Sequence, residues 1–193
     1  MKIVGTDVAD VERGLWVGEL ACSCGGRLRP WGHARVRVVR TRDGEERRRP
    51  RRSRCATCSV THVLLAEDTL VRRRDDVEVI GAALAAKAGG RGQRRSARLL
   101  GVPVSTVRGW LRRFARAAEA LRALFTGLAH RLDPLLAPIA PGPSVVADAV
   151  EAIAVAARAA SLRLGARPPW HFASAATGGR LLSNTSCPAR SAI

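Results

Sequence analysis

The chain has 193 residues, 33 Lys and Arg against 16 Asp and Glu, and a formal net charge of +17. That length fits one or two small domains, and 47% apolar with 25% charged residues suffices for a core, so wholesale disorder and a fibrous repeat are excluded. Aromatics make up only 4%, which argues against rows of rings for stacking single-stranded bases.

Lys2 and Lys87 are the only lysines, so the basic excess is nearly all arginine. A GC-rich genome explains Arg in place of Lys, but not Arg left unmatched by Asp and Glu. The surplus calls for a polyanion, with nucleic acid the expected partner and a membrane surface its main competitor. The start, Met1 to Asp7, has too short an apolar run and too early an acid for a secretory signal. Val145 to Leu164 is interrupted by Asp148, Glu151, Arg158 and Arg163, so it reads as a helix of a water-soluble fold and not as a span. The expectation is a cytoplasmic, nucleoid-associated protein with no membrane partner and no small-molecule substrate. Cysteines in such a reducing compartment are metal ligands or inert thiols more often than disulfides.

Composition divides the chain into residues 1–75, 76–131 and 132–193, with net charges of +7, +8 and +2. The predicted fold class is α+β: a small β-rich, zinc-ribbon-like module, an all-α three-helix domain, and a helical tail after a linker containing Pro134, Pro138, Pro141 and Pro143. In the first region Ala34 to Arg40 alternates apolar and Arg, the period of a strand with one wet face. Asp43-Gly44 marks a hairpin turn, Arg47 to Arg54 around Pro50 reads as an edge strand, and Val60 to Leu65 as a final strand.

Cys22-Ser-Cys24-Gly-Gly and Cys55-Ala-Thr-Cys58 flank that hairpin. Cys22, Cys24, Cys55 and Cys58 form a candidate tetrahedral zinc site that would staple a segment with little apolar area of its own; a closed four-ligand site is structural, not catalytic. The first pair has one residue between its thiols where the common spacing has two, so His33 or His62 stand as substitute ligands. The competing reading is a set of reduced thiols without metal. Cys187 reads as a bystander.

In the second region Val77 to Lys87, Gln93 to Leu100 and Val104 to Ala123 are predicted helices, broken by Gly89-Gly90 and by Gly101-Val102-Pro103. Gln93 to Phe114 resembles a helix-turn-helix: Ala97 lets two helices approach, Gly101 permits the turn, and Val107 with Trp110 closes the space between them. Val107, Trp110, Leu111 and Phe114 fall at i, i+3, i+4 and i+7, a buried stripe. The opposite face carries Ser105, Arg108, Gly109, Arg112 and Arg116, with Thr106 and Arg113 at its margins. Arg108 is the candidate for bidentate contact with a guanine, and Arg112, Arg113 and Arg116 for phosphates. Arg94, Arg95 and Arg98 on the preceding helix would add sequence-blind backbone contacts.

With Cys22-x-Cys24-Gly25-Gly26, Arg27 to His33, the Arg-rich hairpin, Cys55-x2-Cys58 and this helix pair in order, residues 20 to 120 resemble the zinc-ribbon plus helix-turn-helix proteins of high-GC bacteria. The layout is also similar to the DNA-binding front part of insertion-sequence transposases. The resemblance implies double-stranded DNA binding, as by a transcriptional regulator, with the ribbon rigidifying the molecule or touching flanking backbone. Two other readings stand beside it: an orphan DNA-targeting fragment of a transposase, and a zinc-ribbon scaffold for a protein or ribonucleoprotein. No catalytic residues are predicted, since strand transfer needs clustered acids to hold two metals and the acids after Asp76 are scattered. In the tail, Val146, Val150, Ile153, Ala157 and Leu164 make a stripe that docks on the core or forms a homodimer, docking being the expectation. Thr177 to Arg180 reads as a plain turn.

Overall fold

The computed structural model describes residues 1–183; Cys187 lies outside them. Six strands and six helices follow in chain order among these residues. Strand β1 (Lys2–Val4) precedes helix α1 (Val8–Val17), whose first amides, Ala9 and Asp10, donate to the Asp7 carboxylate. Then come β2 (Leu28–His33), β3 (Arg37–Arg40), β4 (Glu45–Arg48), β5 (Arg51–Cys55) and β6 (Thr61–Ala66). The strands form a four-stranded sheet in the order β1-β6-β5-β2 and a separate β3-β4 hairpin. β1 runs parallel to β6, with Ile3 opposite Leu65, and the remaining pairs are antiparallel.

The helical part comprises α2 (Val77–Ala88), α3 (Gln93–Leu100), α4 (Val104–Leu132), α5 (Val145–Leu164) and α6 (Pro169–Ala176). The fold is α+β, with a small N-terminal sheet. Asp76 caps α2 through the Glu78 amide, and Ser144 caps α5 through the Ala147 amide. Gly101, at φ 63°, ends α3 in the left-handed conformation, so Val102 and Pro103 suffice before α4 begins at Val104, with Pro103 at its N-cap. Helix α4 runs nine residues beyond the expected Ala123, because Phe125 and Ala129 continue the buried spacing of Val107, Trp110, Phe114, Ala118 and Leu121.

Two apolar clusters result. The larger joins α2, α4, α5 and α6 with Leu70, Leu181 and Leu182. Within it Ala149, Ala152, Ala156 and Ala160 let the α5 backbone lie close to α4, so the tail helix docks on the core; of the expected stripe Ile153 and Ala157 are buried and Val146 and Val150 packed against the core, but Leu164 is exposed. Phe125 and Phe172 meet with ring centroids 6.1 Å apart, and Trp170 occupies the space a Cβ on Gly81 would need. The smaller cluster holds Leu15, Cys22, Leu28, Cys55 and Leu64, walled by Val4, Val11 and Leu20, with α1 covering one face of the sheet. Helix α1, β1 and β2 had no counterpart in the sequence reading.

The segment that leads from the sheet to the helices carries four buried acids, Glu67, Asp68, Asp75 and Asp76, and the first three have a cation beside them. Arg48 contacts Asp68 at 2.7 Å and Arg40 contacts Asp75 at 2.8 Å, while Arg167 and His171 approach Glu67 at 3.5 and 3.8 Å. These pairs tie the β3-β4 hairpin and the tail to the segment that leads into α2.

Candidate metal centre and basic surface

The four cysteines come from the loop between α1 and β2 and from the end of β5. Their Sγ atoms all lie within 4.8 Å of one another. Cys22 Sγ is 3.7 Å from Cys58 Sγ, and Cys24 Sγ is 3.5 Å from Cys55 Sγ. Four sulfurs about 2.3 Å from one tetrahedral zinc stand about 3.8 Å apart, so the cluster can hold a metal ion and suits zinc. The single-residue spacing of the first pair is absorbed by a tight turn: the Gly25 amide donates to the Cys22 carbonyl, the Cys22 amide to the Gly26 carbonyl, and Gly25 takes φ 82°.

The surroundings fit a metal thiolate as well as the sulfurs do. The Thr57 and Cys58 amides donate to Cys55 Sγ at 3.4 and 3.5 Å, so negative charge on that sulfur is met by the backbone. A Cβ on Gly26 would stand 2.5 Å from Thr57 Oγ1 and 2.7 Å from Cys55 Sγ, so glycine is required for the loops to close around the cluster. The Cys58 and Thr57 amides bring the Cys55 thiol down to about 6 against the effect of burial. Hydrogen bonding from the Cys24 backbone, with His62 assisting and burial opposing, lowers Cys22 to about 7. The Val60 amide lowers Cys58, but the neighbouring Cys24 thiol, burial, and the Cys55 and Cys22 thiols together outweigh it and push Cys58 up to about 12. A cation in the centre would relieve that crowding by taking the place of the shared protons.

Of the two histidines weighed as substitutes, His62 on β6 has Nε2 3.3 Å from Cys22 Sγ, beside the cluster and not in place of a thiol. His33, at the far end of β2, borders a separate cavity of about 480 Å³ between α1 and the hairpin.

The basic residues of the helical region lie mostly outside. Arg94, Arg95 and Arg98 are exposed on α3, and Ser105, Arg108, Arg112 and Arg116 on α4, opposite the buried Val107, Trp110 and Phe114. Thr106, Gly109 and Arg113 are half-buried. Arg113 bends back along its own helix to donate to the Gly109 carbonyl at 3.0 Å, and a Cβ on Gly109 would stand 2.9 Å from that guanidinium. Helices α2, α3 and α4 each pack against the other two. From Val79 to Ala118 the chain holds nine basic residues and no acid, so nothing within this stretch neutralises the ridge.

Sequence reading passed over Trp31 on β2. It is 51% exposed, with Arg54 Cζ 4.9 Å from the centre of its ring. The alternation of Arg29 and Trp31 beside Leu28 was the signal available.

No protein-family model, curated protein or solved structure matches this chain. What the fold and site define is a class: an α+β protein whose small sheet carries a four-cysteine, metal-competent cluster and whose helical part exposes arginines along α3 and the first half of α4. None of its helices is long and apolar enough to cross a membrane among the described residues.

Proposed function

We propose that this protein binds double-stranded DNA in a sequence-specific, non-catalytic manner, as a transcriptional regulator does, with α3, the Gly101 turn and α4 acting as a helix-turn-helix. The observation that carries this reading is the two-sidedness of α4: Val107, Trp110 and Phe114 buried, Ser105, Arg108, Arg112 and Arg116 exposed. Arg108, one turn into the helix, reaches a base edge; a guanine contact there is worth about 1–3 kcal/mol of discrimination. Arg94, Arg95 and Arg98 set register on phosphates. Thr106, Gly109 and Arg113 line the margin, where Arg113 steadies the helix rim. Zinc bound by Cys22, Cys24, Cys55 and Cys58 is structural and holds the sheet together. A cytoplasmic, nucleoid-associated location goes with this role.

The test is selection of bound sequences from random duplexes, with zinc measured on the same preparation, followed by R108A and R112A. Wild type should enrich a defined motif, and its binding should fall steeply with salt: about six phosphates give a log–log slope near −5. R108A should lose about tenfold or more for the selected motif with little change on random duplex. A flat salt response, or variants that enrich the same motif with the same affinity, overturns the reading.

A further inference from the structure

The four-stranded sheet has one face closed by α1; on the other, Leu65 is buried toward the β1 edge, while Arg29, Trp31 and Thr61 are exposed and Arg52 and Arg54 half-exposed toward the β2 edge. Leu28, Ser53, Cys55 and Leu64 point to the closed side and are buried. Cross-strand partners share a face, and Arg29 stands opposite Arg54, Arg54 opposite Thr61, and Arg52 opposite Val63, which puts Arg29, Arg52 and Arg54 together on the other side. Trp31 joins them through its contact with Arg54.

The arginines on the two sides differ in how they are neutralised. Arg51, on the closed side of β5, meets Glu12 at 2.7 Å, and Arg48 of the hairpin meets Asp68. Among the described residues, Arg29, Arg52 and Arg54 have no carboxylate within ion-pair distance. Arg52 and Arg54 stand two strand residues apart, about 6.7 Å, with Arg29 one strand across, about 5 Å. A guanidinium lying over a ring keeps its in-plane N–H groups for an anion, so Trp31 aims Arg54 without consuming its donors. Three unneutralised forks at strand spacing, with no acid among them and an overall charge of +17, complement a regularly repeating anion.

We propose that this sheet face, built from Arg29, Trp31, Arg52 and Arg54, is a second, sequence-blind contact for the DNA backbone. The inference deepens the reading of α4, on which it rests for the identity of the polyanion: the metal-stapled module grips phosphates while the helices read bases.

The test uses the full-length, zinc-loaded protein, the selected duplex and a random duplex, each titrated across a salt series. The double variant R29S/R52S should weaken both duplexes alike by about tenfold or more. It should make the log–log salt slope shallower by about 2 and leave the preference between the duplexes unchanged. W31A should lose part of the affinity, and W31F should recover it. Ultraviolet crosslinking of the unaltered protein should map to β2 or β5, which checks the face even if a variant loses its metal. An unchanged affinity and slope in R29S/R52S, or no crosslink on either strand, overturns the proposal. So does a variant indifferent to DNA but impaired toward polyglutamate, which would assign the face to an acidic protein. The two readings fail separately: if R108A and R112A change nothing while R29S/R52S still weakens binding, the α4 assignment falls and the sheet contact stands.

Discussion

Asp76 shows how one side chain can stabilise a helix and oppose folding together. Its carboxylate accepts the Glu78 amide at 2.6 Å and caps α2, yet burial, with Asp68 adding repulsion, holds it above the usual carboxylate range despite that hydrogen bond, His171 and Arg48. A carboxyl raised in the folded state subtracts nothing below its unfolded value of 3.8, where both states are protonated, and subtracts increasingly as pH rises through the folded value. Asp76→Asn keeps a capping oxygen and removes the buried charge. It should therefore match or exceed wild type in urea denaturation at pH 7, the advantage vanishing below about pH 4. Asp76→Ala, lacking the cap, should lose about 1 kcal/mol relative to Asp76→Asn at any pH. An Asn variant less stable than wild type at neutral pH would mean the charge is held by its neighbours more than it is desolvated.

At the scale of elements, α4 and α5 are the molecule's main packing event, and small residues decide it. Ala152 and Ala156 are fully buried, and the buried residues of their helix larger than alanine are Ile153 and Val155. Close packing between helices leaves no room for a branched side chain at such positions. Ala156→Leu should destabilise by about 1–3 kcal/mol through overpacking, read as a lower urea midpoint with little change in slope. The stripe on α4 was legible because it repeats at 3.6 residues, and the expected helix stopped short at Ala123, ahead of Thr126-Gly127, two weak helix formers that the buried Phe125 and Ala129 carry along. Helix α1 escaped notice for the opposite reason: its inward face is only Val11 and Leu15, while Val8, Trp16 and Val17 are exposed, so the apolar residues do not mark one side.

Across the whole molecule the two clusters differ in self-sufficiency. The helical one is large; the sheet's has five buried residues, two of them cysteines. A β module with so little apolar burial depends on its cross-links. On the proposed zinc site, stripping the metal with a chelator should expose all four thiols to a thiol reagent and abolish amide-exchange protection in β2 and β5. The helical circular dichroism and its thermal transition should persist. Simultaneous collapse of both signals would show that the acid belt from Glu67 to Asp76 couples the clusters into one cooperative unit.

The sequence alone determined what acts within a few residues or by identity: the two cysteine pairs, the apolar period of α4, the stops at Gly101 and Pro103, and the excess of positive charge. Tertiary structure decided what depends on distant partners. It paired β1 with β6 across some sixty residues, laid α5 along α4, turned a short Cys22-Cys24 spacing into a workable corner, and chose which arginines meet carboxylates. Period and capping are properties of a segment's own backbone, whereas strand partners and charge neutralisation are set by which segments the collapsed chain brings together, and no local pattern encodes that choice.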